Sequence, residues 1–165
     1  SKPCCTFVNL YLNGNFEMKT KIPPPILALI MIVIIYLSSL TVETFTFSYQ
    51  TVLGVLVVVI GLGCAVPSFR LFAKNKTTIS PFTPSETTAL VTSGMYRYSR
   101  NPMYLGLVLL TIAATIFFGT WLGIVIIVAF IFLLNFLQII PEEEALLDIF
   151  GEEYVEYKKK VRRWI

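Results

Sequence analysis

A chain of 165 residues has room for one domain or one small helical bundle. Hydrophobic residues make up 56% of it and charged residues 14%, against roughly 25% charged in soluble domains; gathered into long unbroken blocks, they predict an all-α integral membrane bundle. The absence of histidine excludes Ser-His-Asp and Cys-His nucleophilic sites and most zinc sites, and Cys4, Cys5 and Cys64 form neither a disulfide framework nor a metal-ligand spacing, so no metal is expected.

Residues 1–21 show no clear period. Met18-Lys-Thr-Lys reads as a translation start, with residues 1–17 as an upstream extension. The charged segment before apolar Ile26–Leu40 has the shape of a signal peptide, but no small-x-small site follows, and a retained anchor helix is expected. Residues 22–42 carry no charge and supply the first crossing, with Pro23, Pro24 and Pro25 suiting an extended entry and a first helical turn. Residues 46–69 supply the second, with Pro67 near its end and Gly61-Leu-Gly63 read as small residues for helix packing.

The stretch 70–100 differs, with five basic residues, Glu86, two prolines and many Ser and Thr. A connection of about thirty residues in a compact domain is usually functional or disordered. No charge then occurs from Asn101 to Pro141, which predicts a helical hairpin over 102–118 and 121–140, reversing at Gly119 to Gly123 with Trp121 as an interfacial anchor. The tail, 141–165, reads as a surface helix with acidic residues at its start and Lys158–Lys160 at its end, broken near Gly151. Tyr154, Tyr157, Val161 and Trp164 form an amphipathic face for the membrane surface or the bundle.

Four crossings put the N-terminus, the 70–100 connection and the tail on one side. All 13 Lys and Arg fall on that side, and the positive-inside rule makes it cytoplasmic. The inward polar groups there are Tyr96, Tyr98, Arg100, Asn101 and Tyr104, facing Glu142, Glu143 and Glu144. The amides opening the third helix suit an anionic group, and a carboxylate across from them suits an ammonium or ribose hydroxyls. The same residues also allow plainer roles. Arginines and tyrosines anchor helix ends at lipid headgroups, glutamates complement a helix dipole, and Asn135 and Gln138 bond between helices.

Leu90-Val-Thr-Ser-Gly-Met-Tyr-Arg-Tyr-Ser-Arg-Asn-Pro-Met-Tyr-Leu-Gly106, followed by Glu142-Glu143-x-x-Leu146-x-x-x-Phe150-Gly-Glu-Glu-Tyr154-Val-Glu-Tyr157, resembles the isoprenylcysteine carboxyl methyltransferases. It is also similar to the wider group of small membrane methyltransferases that includes phospholipid N-methyltransferases. The resemblance covers about residues 77–164. It implies S-adenosylmethionine as cofactor and methyl transfer to a lipophilic or lipid-attached acceptor at the cytoplasmic membrane face, with no nucleic acid involved. Carried over by position, it implies cofactor contacts at Thr88, Ala89, Leu90, Val91, Tyr96, Asn101, Pro102, Met103, Tyr104, Glu142 and Glu143. Arg100 is the candidate catalytic residue, shaping the pocket, and Gln138 the candidate substrate-side residue.

The chain departs from the pattern twice. Asn101 replaces the motif's histidine, and Gln138 replaces a substrate-side arginine, which removes a cation suited to a carboxylate acceptor. Methyl transfer from a sulfonium is an in-line displacement, so positioning and exclusion of water suffice without a dedicated base. Two other readings stay open: a nicotinamide-dependent enzyme like the sterol reductases, and a non-catalytic membrane scaffold or transport accessory.

Overall fold

The computed structural model describes residues 22–74 and 90–165. The readings of residues 1–21 and of residues 75–89 in the 70–100 connection, Thr88 and Ala89 among them, lie outside the described residues. Within them the chain is helical, with a single isolated bridge between Thr44 and Thr120.

Helix α1 is Pro24–Ser39, entered through extended Pro23. Helix α2 is Gln50–Lys74, α3 is Pro102–Phe118, and α4 is Leu122–Leu134. Each lies in an apolar block, where a continuous helix satisfies the backbone without water. Gln50–Leu71 and Leu122–Phe150 are long and apolar enough to cross a bilayer, at 22 and 29 residues; α1 and α3 are shorter apolar helices.

Two elements differ from the sequence reading. Helix α2 starts at Gln50 rather than near 46 and continues through Pro67 to Lys74. Next to that proline the Ser68 hydroxyl donates to the Cys64 carbonyl at 2.6 Å, within the buried face of the helix. The second difference lies at Pro141, the expected start of a separate tail helix. Here α4 widens into a π turn, Asn135–Ile139, and runs on as α5, Ile140–Phe150. A proline inside a helix lacks an N–H and crowds the carbonyl four residues back; the wider turn makes room for the ring without ending the helix. The 29-residue run is about 43 Å long at 1.5 Å per residue. About twenty residues suffice to cross the hydrocarbon, so the run is longer than one crossing needs. A break does occur at Gly151, as expected, before α6, Glu152–Lys160.

Helix α3 is the hub, packing against α2, α1 and α4. Its approach to α2 depends on Gly106, where a Cβ would sit 2.6 Å from Ala65 Cβ and 2.7 Å from the Gly61 carbonyl oxygen. Gly61 belongs to this contact and Gly63 does not, since open space surrounds it. Leu27, Ala28, Tyr104, Val108, Phe130, Leu134 and Ile139 close one core among α1, α3 and α4, and Trp164 from the tail packs against it. The outward faces of α1, α2 and α4 remain apolar and exposed, among them Leu29, Val52, Val59 and Val125. That surface suits lipid rather than water.

At the end away from the tail, Gly119 reverses the chain with φ 61°, and a side chain there would collide with the Phe45 carbonyl. The α1–α2 connection is tied to this turn. Phe45 N–H donates to Gly119 O at 2.7 Å, and Gln50 Nε2 donates to Ile116 O at 2.6 Å.

Candidate functional site

At the other end, three elements meet: a short 3₁₀ turn, Gly94–Arg97, the start of α3, and the start of α5. Pro102 opens α3 and supplies no N–H, and the first intrahelical bond runs from Leu105 N–H to Asn101 O at 3.0 Å. Helix geometry leaves the Met103 and Tyr104 amides without an intrahelical acceptor. Asn101 makes no side-chain cap here. Instead its Nδ2 donates to the Arg163 carbonyl at 3.0 Å, and its backbone N–H donates to Ser99 Oγ at 3.1 Å.

The three consecutive glutamates go to three destinations, because successive helical residues point about 100° apart. The Tyr104 hydroxyl, on the buried side of α3, donates to Glu142 Oε1 at 2.5 Å. Glu143 is buried between two arginines. Arg100 Nη1 lies 3.0 Å from its Oε1, while Arg163 grips both oxygens, Nε at 3.1 Å and Nη2 at 2.7 Å. Glu144 is exposed.

The electrostatics follow from this sorting. Burial pushes the Glu142 carboxyl up to about 7; the Tyr104 hydrogen bond pulls it down in part, and the Glu143 charge pushes it up further. Tyr96 is buried, and its hydroxyl is held well above the ordinary phenol range by burial and by the fields of Tyr157 and Glu142. Tyr96, Tyr104 and Glu142 are therefore one electrostatic cluster. The Arg163 guanidinium is held more firmly protonated by its bond to Glu143.

The tail builds the outer wall. Tyr154, Tyr157 and Val161 form a buried cluster against which Leu90, Leu146 and Phe150 pack. The Tyr157 hydroxyl donates to the Tyr96 carbonyl at 2.6 Å, and Arg100 Nη1 donates weakly to the Tyr154 hydroxyl at 3.5 Å. The amphipathic face seen in the sequence thus packs on the bundle. After α6 the chain returns toward α3, and Arg100 N–H donates to Arg162 O at 3.0 Å.

Of the residues singled out from sequence, Tyr96, Asn101, Pro102, Met103, Tyr104, Glu142 and Glu143 share this end of the bundle with Arg100, and Leu90 reaches it through the tail cluster. Val91 is half-buried just after Leu90. Gln138 is buried on the π turn, where its Nε2 donates to the Ile22 carbonyl at 3.3 Å. Arg163 is the residue that sequence reasoning missed. It sits in a basic tail whose charge pattern suits a helix C-terminus, and nothing in that pattern marks a pairing 20 positions back.

The phospholipid methyltransferase family model matches residues 49–153, from the start of α2 into α6. That span holds the first motif, the glutamates that open the second, and more than half of the chain. The chain belongs to the phospholipid methyltransferase family. An uncharacterised protein of Haemophilus influenzae is 47% identical over 66 residues, which are 38% of this chain and the whole of that protein. The protein-S-isoprenylcysteine O-methyltransferase of Saccharomyces cerevisiae is 31% identical over 111 residues, 67% of this chain and 46% of the yeast protein. The Schizosaccharomyces pombe protein of the same name is 31% identical over 72 residues, 44% of this chain and 30% of its own length. The chain thus spans all of the bacterial relative and less than half of either fungal enzyme. Family membership together with the apolar helices makes this a membrane protein.

Proposed function

We propose that this chain is a methyltransferase that uses S-adenosylmethionine and methylates a lipophilic or lipid-attached acceptor at the cytoplasmic membrane face. The observation that carries the reading is the Tyr104–Glu142 pair, within the matched family region. The family match also favours methyl transfer over a nicotinamide-dependent or a non-catalytic role.

The donor set fits the cofactor's chemistry. Glu142 keeps acceptor capacity beyond the single bond from Tyr104, which suits an ammonium. Arg100 Nε is a buried donor with no partner among the described residues, and the Met103 and Tyr104 amides open a helix; both suit a carboxylate. The phenol rings of Tyr96 and Tyr104 offer apolar surface beside those charges. Leu90, Val91, Asn101 and Pro102, with Thr88 and Ala89 in the preceding segment, complete the proposed contacts. When bound, S-adenosylmethionine supplies an electrophilic methyl group on a sulfonium.

The residues' work is positional. Tyr104 orients Glu142, Arg100 holds the wall through Glu143, and the Tyr154–Tyr157 cluster keeps water from the site. Glu143 acts from behind the wall, since both its oxygens are engaged by arginines. On the acceptor side stands Gln138, neutral and bonded to the entry of α1. Arg100 and Arg163 are both engaged with Glu143.

The proposed topology has α1 to α4 each crossing the bilayer, with the tail and the Tyr104–Glu142 end cytoplasmic. Its support is the segregation of all 13 basic residues to one face of that arrangement. To test the activity, the purified protein is reconstituted in vesicles of mixed aminophospholipids containing a prenylated cysteine analogue, and supplied with methyl-labelled S-adenosylmethionine. Label in the organic extract, lost with Tyr104→Ala, is the predicted result. Cofactor binding with no label in either acceptor class sinks the lipophilic-acceptor assignment.

A further inference from the structure

The tail contributes more than a wall. Arg163 touches both halves of the site at once. Its carbonyl accepts from Asn101 Nδ2 at 3.0 Å and from Ser99 Oγ at 3.4 Å, just before α3. Its guanidinium holds both oxygens of Glu143 on α5. On one side of it, Arg162 O accepts from Arg100 N–H at 3.0 Å. On the other, Trp164 packs against the core that contains Tyr104, Leu134 and Ile139. Together these contacts make 162–164 a strap across the mouth between α3 and α5.

We propose that Arg163 is a positioning residue, which fixes the start of α3 against α5 and so sets the Tyr104–Glu142 pair for the cofactor. The inference rests on the cofactor reading above and adds a residue beyond the region matched by the family model, which ends at 153. The geometry explains why one residue has this effect. Tyr104 is three positions beyond Asn101, and Glu142 is the neighbour of Glu143, so each partner of Arg163 is rigidly linked to one member of the pair. A bidentate guanidinium fixes direction as well as distance, which an ammonium cannot do.

The strap also resolves what Glu143 does. A buried carboxylate faced by a single arginine would leave Arg100 to serve either Glu143 or a ligand. With Arg163 taking both oxygens, Arg100 needs only Nη1 for Glu143, and its Nε is left as an uncommitted donor.

The test uses the full chain in detergent, titrated calorimetrically with S-adenosylmethionine, alongside hydrogen exchange read peptide by peptide. Arg163→Ala is expected to weaken binding by at least about tenfold and to speed exchange over 99–104, leaving exchange in α1 to α4 outside that stretch at wild-type rates. Arg163→Lys is expected to recover part of the affinity, and exposed Lys159→Ala to match wild type. Should the alanine protein fail to fold, Arg163→Gln is read by the same criteria. Wild-type affinity in the alanine or glutamine protein, or loss of affinity accompanied by faster exchange throughout the bundle, overturns the positioning role. Absence of binding by the wild-type protein is a different result, visible before any variant is made, and removes the cofactor reading together with this role.

Discussion

At the scale of single residues, the acidic run shows how adjacent identical side chains acquire different chemistry. Glu143 is spent on two arginines, Glu144 faces solvent, and Glu142 has one phenol for a partner. Burial raises Glu142 to about 7, so the folded protein at neutral pH holds it partly protonated. An ammonium ligand requires the carboxylate. Binding of S-adenosylmethionine is therefore predicted to weaken as pH falls through about 7, approaching tenfold per unit below it, and to level off above it. Glu142→Gln removes the charge and keeps an acceptor for Tyr104; binding falls by about 10- to 100-fold at pH 8 and loses that pH dependence. The sign for stability runs the other way. A carboxyl raised in the folded state costs stability as pH climbs from its ordinary value of 4.5 through about 7. Glu142→Gln should then melt no lower than wild type at pH 8. A binding variant with unchanged or improved stability is the signature of a site residue, and calorimetry with thermal melts checks both halves.

At the scale of elements, close packing competes with helix propensity. Gly106 faces Ala65 and the Gly61 backbone, with no space for a methyl group, while Gly63 faces open space. Glycine to alanine in a helix gains about 1 kcal/mol of propensity, whereas overpacking costs about 1–3 kcal/mol. The colliding partner at Gly106 includes backbone and cannot swing aside, so overpacking wins there. Gly106→Ala should lower the melting temperature in detergent, and Gly63→Ala should hold or raise it. The reverse order would mean that α2 and α3 do not meet through these glycines. Sequence pattern found α3 at its observed bounds, because a charge-free block between Asn101-Pro102 and Gly119 leaves little choice. It missed the last turn of α2, beyond Phe69 to Lys74, and the fusion of α4 with α5. In both places a proline reads as an end, yet local widening or neighbouring contacts carry the helix through it.

At the scale of the whole molecule, what was legible in the sequence was the pairing of two polar motifs. Glu142 meets Tyr104 across 38 positions. The strap of Arg162 to Trp164 was not legible. It forms no periodic pattern, and its partners at Arg100 and Asn101 lie some sixty positions away, joined by single hydrogen bonds that no local propensity announces. The division of the glutamates was hidden for a related reason, since helical phase decides which one turns inward and the π turn at Asn135–Ile139 resets that phase. These elements converge on one site, around Tyr104 and Glu142. Calorimetric titration of the purified full chain with S-adenosylmethionine, its demethylated product and a reduced nicotinamide tests it most directly. Saturable one-site binding of the first two is expected, with none of the third and loss of binding in a folded Glu142→Ala protein; a wild-type protein that binds neither sulfur compound, or a Glu142→Ala protein that binds them as wild type does, rules the site out.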